Sequence, residues 1–565
     1  MIRWFSPRRS ALLVVSLLSA CAASPVSPGP QGNPRIAAAA FLEARFAASQ
    51  GALALSAADF LRAQQADPSS LALHQQAFLA ALLAGRRDVS TLAHGLPKNQ
   101  VAQLVLVNDA ARQGKWDAAI QRLKAIPQLG VARILSPLLL AWVQQGAGQT
   151  DAALATLHPL MSQQGTQGLA TLNAAMIEDL AGRTNAADRS YATAAAAFGP
   201  GSLDLARLFA SWDARNGRRQ EALGVLAGLG TSGELGLAQP GLIRDVAKKV
   251  IRNPLDGMAA AYRFTALAVR QQNNGSLSIV LLRLALDARR NDTMSRLALA
   301  GVYEANGQPS LALGVLDAVG KADPLYQAVQ LRRALIMTAL DNNQGALDII
   351  RGLVAAYPTL PGPALIEGDI LRSEKRFAEA VKAYHVAIAR TVAVGPQDWI
   401  LYFDRGIAYD RSGKWPLAEA DFRHALQLSP NQPDVLNYLG YSLADKGRDL
   451  PQARSMIERA LAAMPNNGAI VDSLGWVTLK QGDVVGAVRY LERAVELMPS
   501  DPTVNGHLGD AYLAAGRRLE AAFQWQRALT LNPSPKQAAA LRAKLARDEH
   551  ALGAGASPAP KKPVP

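Results

Sequence analysis

The stretch PDVLNYLGYSLADKGRDLPQARSMIERALAAMPNN, residues 433–467, is followed by GAIVDSLGWVTLKQGDVVGAVRYLERAVELMPSD, residues 468–501, and the two read as one pattern written twice. Each copy opens with an apolar run that carries a glycine, Gly440 or Gly475, reaches an alanine in a second run, Ala453 or Ala487, and closes on Pro465 or Pro499. Apolar residues recurring every three to four positions make each run a helix. The proline ends the second helix, because its ring clashes with the preceding turn and it has no amide hydrogen to give. A small residue is needed where two helices approach most closely, so Gly406, Gly440, Gly475 and Gly509 are expected to face Ala418, Ala453, Ala487 and Ala521 across each hairpin. Phe422, Leu491 and Trp525 then fill the seam.

The beat runs through most of the chain. Ala119, Ala153 and Ala187 are 34 residues apart, as are Ala312, Ala346 and Ala380, and prolines keep the same step at Pro324 and Pro358 and near it from Pro430 to Pro533. Turn glycines precede the alanines at Gly114, Gly148, Gly182, Gly217, Gly307, Gly413, Gly482 and Gly516. A 34-residue helix-turn-helix period is that of tetratricopeptide (TPR) units. The register predicts an all-α, right-handed TPR solenoid of about fourteen units starting near residues 37, 71, 100, 134, 168, 203, 259, 293, 327, 361, 399, 433, 468 and 502, the first six degenerate. The phase breaks once, at residues 229–257, which are Gly- and Pro-bearing at both ends; they are read as a linker or hinge between an N-terminal array, 36–228, and a C-terminal array, 258–533, that share few contacts and fold separately. Residues 534–549 are expected to cap the stack, and 550–565 to form a disordered Pro/Ala tail.

The first residues carry a second message. Arg3, Arg8 and Arg9 precede the apolar run Ala11 to Leu18, which is too short to span a bilayer, so residues 1–20 read as a signal peptide. Leu18-Ser19-Ala20-Cys21 resembles the lipobox of bacterial lipoproteins, and Cys21 is the single cysteine of the chain. The resemblance implies that Cys21 becomes the acylated first residue of the mature protein, that residues 21–35 are a proline-rich tether, and that several acyl chains hold the protein stably to a membrane. Ala22 stands where enterobacterial inner-membrane retention would have Asp, which points to the outer membrane. One cysteine excludes disulfides and thiolate metal clusters within the chain. The net charge of +14 loses three arginines with the signal, and the remaining basic residues are scattered along helices, so nucleic acid is not expected as a partner. A basic surface still favours an acidic partner or anionic lipid headgroups.

The motifs of the last units, Leu436-Asn437-Tyr438-Leu439-Gly440-Tyr441, Asp472-Ser473-Leu474-Gly475-Trp476 and His507-Leu508-Gly509-Asp510, are similar to the C-terminal region of the large TPR lipoproteins of proteobacteria. That resemblance spans residues 433–533 and implies an adaptor that tethers a periplasmic carboxyl-terminal processing protease and presents substrates to it, peptidoglycan hydrolases among them. Holding two partners on one scaffold raises their effective concentration. The rival reading is an assembly or secretion factor for pili, exopolysaccharide or outer-membrane proteins, since fold alone does not fix function.

Residues of the first helix of a TPR unit that point into the concave groove are the second, fifth, ninth and twelfth. Here they include Phe403, Asp410, Asn437, Tyr441, Asp472, Trp476 and Asp510, a set of aromatics, amides and acids suited to an extended peptide or a partner helix. Tyr441 and Trp476 can equally pack between units, and Asp472 can serve the helix dipole. No cofactor other than the covalent lipid on Cys21, no metal and no enzymatic activity are expected. The seven histidines never pair at helical spacing, and Gly228-Leu229-Gly230-Thr231-Ser232-Gly233 follows a helix rather than the strand a dinucleotide site needs. His507, inside a motif, is read as a helix-surface or inter-unit residue.

Overall fold

Each hairpin starts and turns for local reasons. Asn33, Ser70, Asn99, Ser202, Asp292 and Asp501 accept hydrogen bonds from first-turn amides and so satisfy donors that have no partner within the helix. The eight turn glycines all lie at φ between 69 and 87°, the left-handed conformation that costs glycine nothing. Asp341 and Lys375 adopt the same conformation (φ 58 and 62°) in units whose turn lacks the glycine. The computed structural model describes residues 33–198, 202–229, 233–271 and 275–554; the expected signal peptide, Cys21 with residues 21–32 of the tether, and residues 555–565 of the tail lie outside them. Among the described residues there are thirty α-helices and no strand: fourteen hairpins, the lone helix Gly233–Arg244 and the final helix Pro535–Ala554. Every expected unit start falls within five residues of an observed first helix. Pro34, placed in the tether by the sequence, is instead the first residue of helix Pro34–Ser49, where a missing amide hydrogen costs nothing. The last helix also runs past the expected residue 549.

The closest approach to each glycine is a large side chain rather than the expected alanine, although a side chain on Gly440 would also meet the backbone oxygen of Ala453 at 2.9 Å. A side chain on Gly406 would meet Phe422, on Gly440 Ile457, on Gly475 Leu491 and on Gly509 Trp525, all at 2.5–2.8 Å. The large residue one helical turn beyond each alanine seats on the glycine, while Ala418, Ala453, Ala487 and Ala521 are fully buried beside it.

The described residues form two compact units, one ending at Tyr357 and the other beginning at Pro358. The hinge expected at 229–257 therefore does not hold. One buried core runs from Phe78 to Ile336, across that segment. The reason is visible on the first helices of the N-terminal hairpins. Gln100–Arg112 buries Leu104, Val105, Leu106 and Val107 in succession, and Ala132–Gly146 and Gln167–Leu180 are as thoroughly covered. A helix apolar all round needs cover on both sides. Their own second helices supply one side; the hairpin of Pro254–Gln271 and Gly275–Ala288 packs on the other. Trp142 is fully buried, gives its indole N–H to Asn173 (2.8 Å), and lies so near Gly257 that a Cβ there would sit 2.3 Å from its ring. Asn108 donates to Leu284 O (3.1 Å) and Asp287 (2.9 Å) and accepts from the Tyr262 hydroxyl (3.2 Å). Buried Arg263 spans Asp204 and Asp292, and Lys249 joins Arg215 on Asp179.

The inner face of the N-terminal array is thus filled by the chain itself. Residues 33–228 expressed alone should bare the surface around Leu139 and Trp142, bind an apolar dye and aggregate, whereas residues 33–357 should melt as one cooperative unit. A soluble, cooperatively melting 33–228 fragment without dye binding would contradict this packing.

Candidate functional site

In the C-terminal unit the first helices Trp399–Arg411, Pro433–Asp445, Gly468–Lys480 and Pro502–Ala514 stand side by side, each backed by its own partner helix. The repeat of 34 to 35 residues sets equivalent positions next to one another on their inner face. Asn437 and Asp472 occupy one row, Tyr441, Trp476 and Asp510 the next.

Side chains from three of these helices converge. Asp472 is buried, and His507 Nδ1 lies 3.0 Å from both of its oxygens, so the ring donates there to the carboxylate. The other face of the histidine is an aromatic contact: its ring stacks on Trp476 with centroids 4.2 Å apart and planes 19° from parallel. Tyr441 approaches the same imidazole at 6.1 Å, and the Lys480 ammonium stands 4.6 Å over the Trp476 ring. Burial, then the charges of Asp445 and Asp472, pushes the Tyr441 phenol well above its usual range, so it stays a neutral donor. Asn437 Oδ1 and Trp476 Nε1 are buried and make no hydrogen bond, though both residues keep part of their surface exposed. An unsatisfied buried polar atom costs about 1–3 kcal/mol.

The other groove candidates are engaged elsewhere. Phe403 packs between Trp399, Phe422 and Tyr438 at 5.7–5.9 Å, in the seam between two hairpins. Asp410 accepts from Tyr438 (3.1 Å) and Lys446 (3.3 Å) of the next hairpin. Asp510 takes Lys544 of the final helix on both oxygens (2.7 Å) and the Trp525 indole (3.1 Å), which fastens that helix to the stack. His507 and Lys480 complete the cluster without having been chosen from the sequence. His507 is an inter-unit residue, but it sits one position off the row of Asp472, so the repeat register alone gives no sign of their meeting.

Beyond these geometric findings, residues 366–433, 438–502 and 478–545 match family models described as tetratricopeptide repeat. The fold is a TPR solenoid. TPR arrays serve as scaffolds for protein–protein contacts. A TPR repeat-containing protein of Pseudomonas aeruginosa is 31% identical over 127 residues, 22% of this chain and 21% of its own. Bacteriophage adsorption protein A of Escherichia coli is 31% identical over 103 residues, 18% and 10% of the two chains. Human tetratricopeptide repeat protein 34 is 30% identical over 298 residues, 51% and 49%. The chain thus spans half or less of each relative's length. Two solved TPR structures are similar at low identity: yeast Tom70 (15%, 81% of this chain and 97% of that one, TM-score 0.34) and the Cut9–Hcn1 assembly (14%, 91% and 96%, TM-score 0.38).

Among the described residues no group of three or more His, Cys, Asp or Glu is placed to hold a metal ion, and no helix is long and apolar enough to cross a membrane. Of the GxGxxG stretch, Gly228 directly follows helix Arg219–Ala227, and residues 230–232 lie outside the described residues.

A second cluster has perturbed carboxyls but is paired within itself. Tyr384 donates to Asp369 (2.8 Å) and accepts from Arg372 (3.0 Å), and Arg372 also pairs with Asp404 (3.3 Å). Burial, then the Asp369 charge, pushes Asp404 up to about 7. A folded-state value above the unfolded carboxylate's, about 3.9, means that folding holds the proton; that contribution is complete below about pH 4 and is lost as the pH rises through about 7. Asp404→Asn keeps the shape and cannot ionise. Its Tm should therefore rise relative to the parent's between about pH 5 and pH 8; a constant offset across that range would remove Asp404 as the titrating group.

Proposed function

We propose that this chain is a lipid-anchored adaptor of the bacterial cell envelope that captures an extended segment of a partner protein in the groove of its C-terminal unit. The observation that carries the reading is the Tyr441–Asp472–Trp476–His507 cluster, whose Tyr441 and Trp476 rings, like Asn437 in the row of Asp472, keep part of their surface in solvent. The stacked rings give an extended segment a flat apolar seat, and the exposed part of Asn437 stands in the adjoining row. The N-terminal array has no such face to offer, because its inner side is already covered.

The lipobox around Cys21 supports attachment at the periplasmic face of the outer membrane, and the motifs of residues 433–533 support a carboxyl-terminal processing protease, with peptidoglycan hydrolases as its substrates, as the partners. Attachment by a lipid and capture by a groove fit one mechanism: the anchor confines the scaffold, and the scaffold raises the local concentration of what it holds.

Two conservative variants separate binding from packing. Asn437→Ala removes the unsatisfied acceptor, and Trp476→Phe removes the unsatisfied donor while leaving a ring on His507. Both should leave Tm unchanged or slightly raised. Photo-crosslinking in intact cells, with yield quantified against the parent, should fall at least about tenfold for each, the loss typical of a hot spot. Parental yield in both variants would move the binding surface off this groove. Cys21→Ala should abolish labelling by a palmitate analogue; equal labelling would end the anchor reading without touching the groove.

A further inference from the structure

The N-terminal unit holds a feature that protein capture does not use. Between residues 51–55 at the start of helix Leu53–Ala66, the end of helix Leu71–Ala84 with the turn after it, and the segment 283–315 lies a cleft of about 760 Å³, lined by Arg86, Arg87, Arg283, Arg290 and Arg296. Its only lining carboxylate is Asp287. That acid is spent on Arg112 (3.2 Å) and Asn108 (2.9 Å). Arg86 is held bidentately by Asp88, at 2.9 and 2.7 Å. The remaining four form no ion pair among the described residues. Arg283 gives one bond to the Tyr303 hydroxyl (3.2 Å), and its Nε is buried without a partner. Arg296 donates to two backbone carbonyls, Val315 O (2.9 Å) and Arg290 O (2.8 Å). Arg87 and Arg290 stand exposed at the mouth.

A guanidinium cannot escape such a site by losing its proton, and like charges in a partly desolvated cleft repel, offset here only in part by Asp292 near Arg296 and Asp287 near Arg290. Burial, then the Arg283 charge, indeed lowers the affinity of Arg296 for its proton. The position of Arg283 beside Gly85, at the carbonyl end of a helix, explains one cation of the four by the helix dipole. Arg296, on the last-turn carbonyl Val315 O of helix Pro309–Leu316, is a second, which leaves Arg87 and Arg290 without a structural partner among the described residues. Leu53, Leu311 and Val315 supply an apolar wall beside the cations. We propose that this cleft binds a multiply charged organic oxyanion, its phosphate or carboxylate groups on Arg283 and Arg296 and its organic body on the apolar wall. Forked guanidinium donors match the oxygens of such groups in pairs, and the entrance arginines draw the anion in.

The chemistry is shared by soluble phosphorylated compounds and by anionic lipid headgroups, and one experiment tells them apart. The full chain carrying Cys21→Ala, so that no acyl group contributes, is titrated with inorganic pyrophosphate by calorimetry and sedimented with phosphatidylcholine vesicles with and without phosphatidylglycerol. Arg283→Gln with Arg296→Gln should weaken binding at least about tenfold. Arg87→Glu with Arg290→Glu, at exposed positions that packing does not need, should do the same with an unchanged melt. Pyrophosphate binding without vesicle binding assigns a soluble ligand, and binding only to vesicles with phosphatidylglycerol assigns a headgroup. Parental binding in the Arg87/Arg290 variant, no binding of either probe, or an equal loss from Arg454→Gln with Arg493→Gln on the other unit would overturn the site.

Discussion

A glycine that lets one helix lie against a large side chain of the next is the contact on which the C-terminal unit depends. Phe422, Ile457, Leu491 and Trp525 each seat on the bare backbone of Gly406, Gly440, Gly475 or Gly509. Because the same knob enters the same hole in every hairpin, the hairpins are alike, and alike hairpins stack with equivalent positions in rows. The groove is the product of that regularity. Tyr441, Trp476 and Asp510 come from three helices and share a row only because the close approach holds each helix at the same depth and rotation.

The two units solve one problem in opposite ways. The inner faces of stacked first helices must be covered or be polar enough to stand in water. In the N-terminal unit they are apolar, and the hairpin Pro254–Ala288 covers them. In the C-terminal unit they carry Asn437, Tyr441, Trp476 and Lys480, which keep part of their surface in solvent. The polarity of that face is the physical reason to place recognition there rather than in the longer N-terminal array.

The sequence was most legible where spacing carries the information. The 34-residue beat located all fourteen hairpins, and the turn glycines appeared at positive φ, because both follow from local backbone geometry. The linker at 229–257 was misread because a break in phase is a local signal, whereas the core that crosses it is made of contacts between residues far apart, such as Arg263 with Asp204. The continuous run Leu104-Val105-Leu106-Val107 did hold the sign of a doubly covered helix. In the groove, periodicity named Asp472 and Trp476 but not His507, since their meeting depends on the offset between neighbouring helices. It also named Asp410 and Asp510 as groove acids, when Lys446 and Lys544 from adjoining elements already hold them.

The filling of the N-terminal array by a later hairpin also governs the order in which the unit can form. A simple repeat array builds from neighbours, each contact closing a short loop. Here Asn108 finds Leu284 and Asp287 across 176 and 179 residues. Loops of that length are slow to close and raise the mean sequence separation on which folding rate depends. A growing chain therefore carries the inner surface around Leu139 and Trp142 uncovered until helix Pro254–Gln271 has been made, and during that interval it is open to self-association that a plain solenoid of the same length avoids.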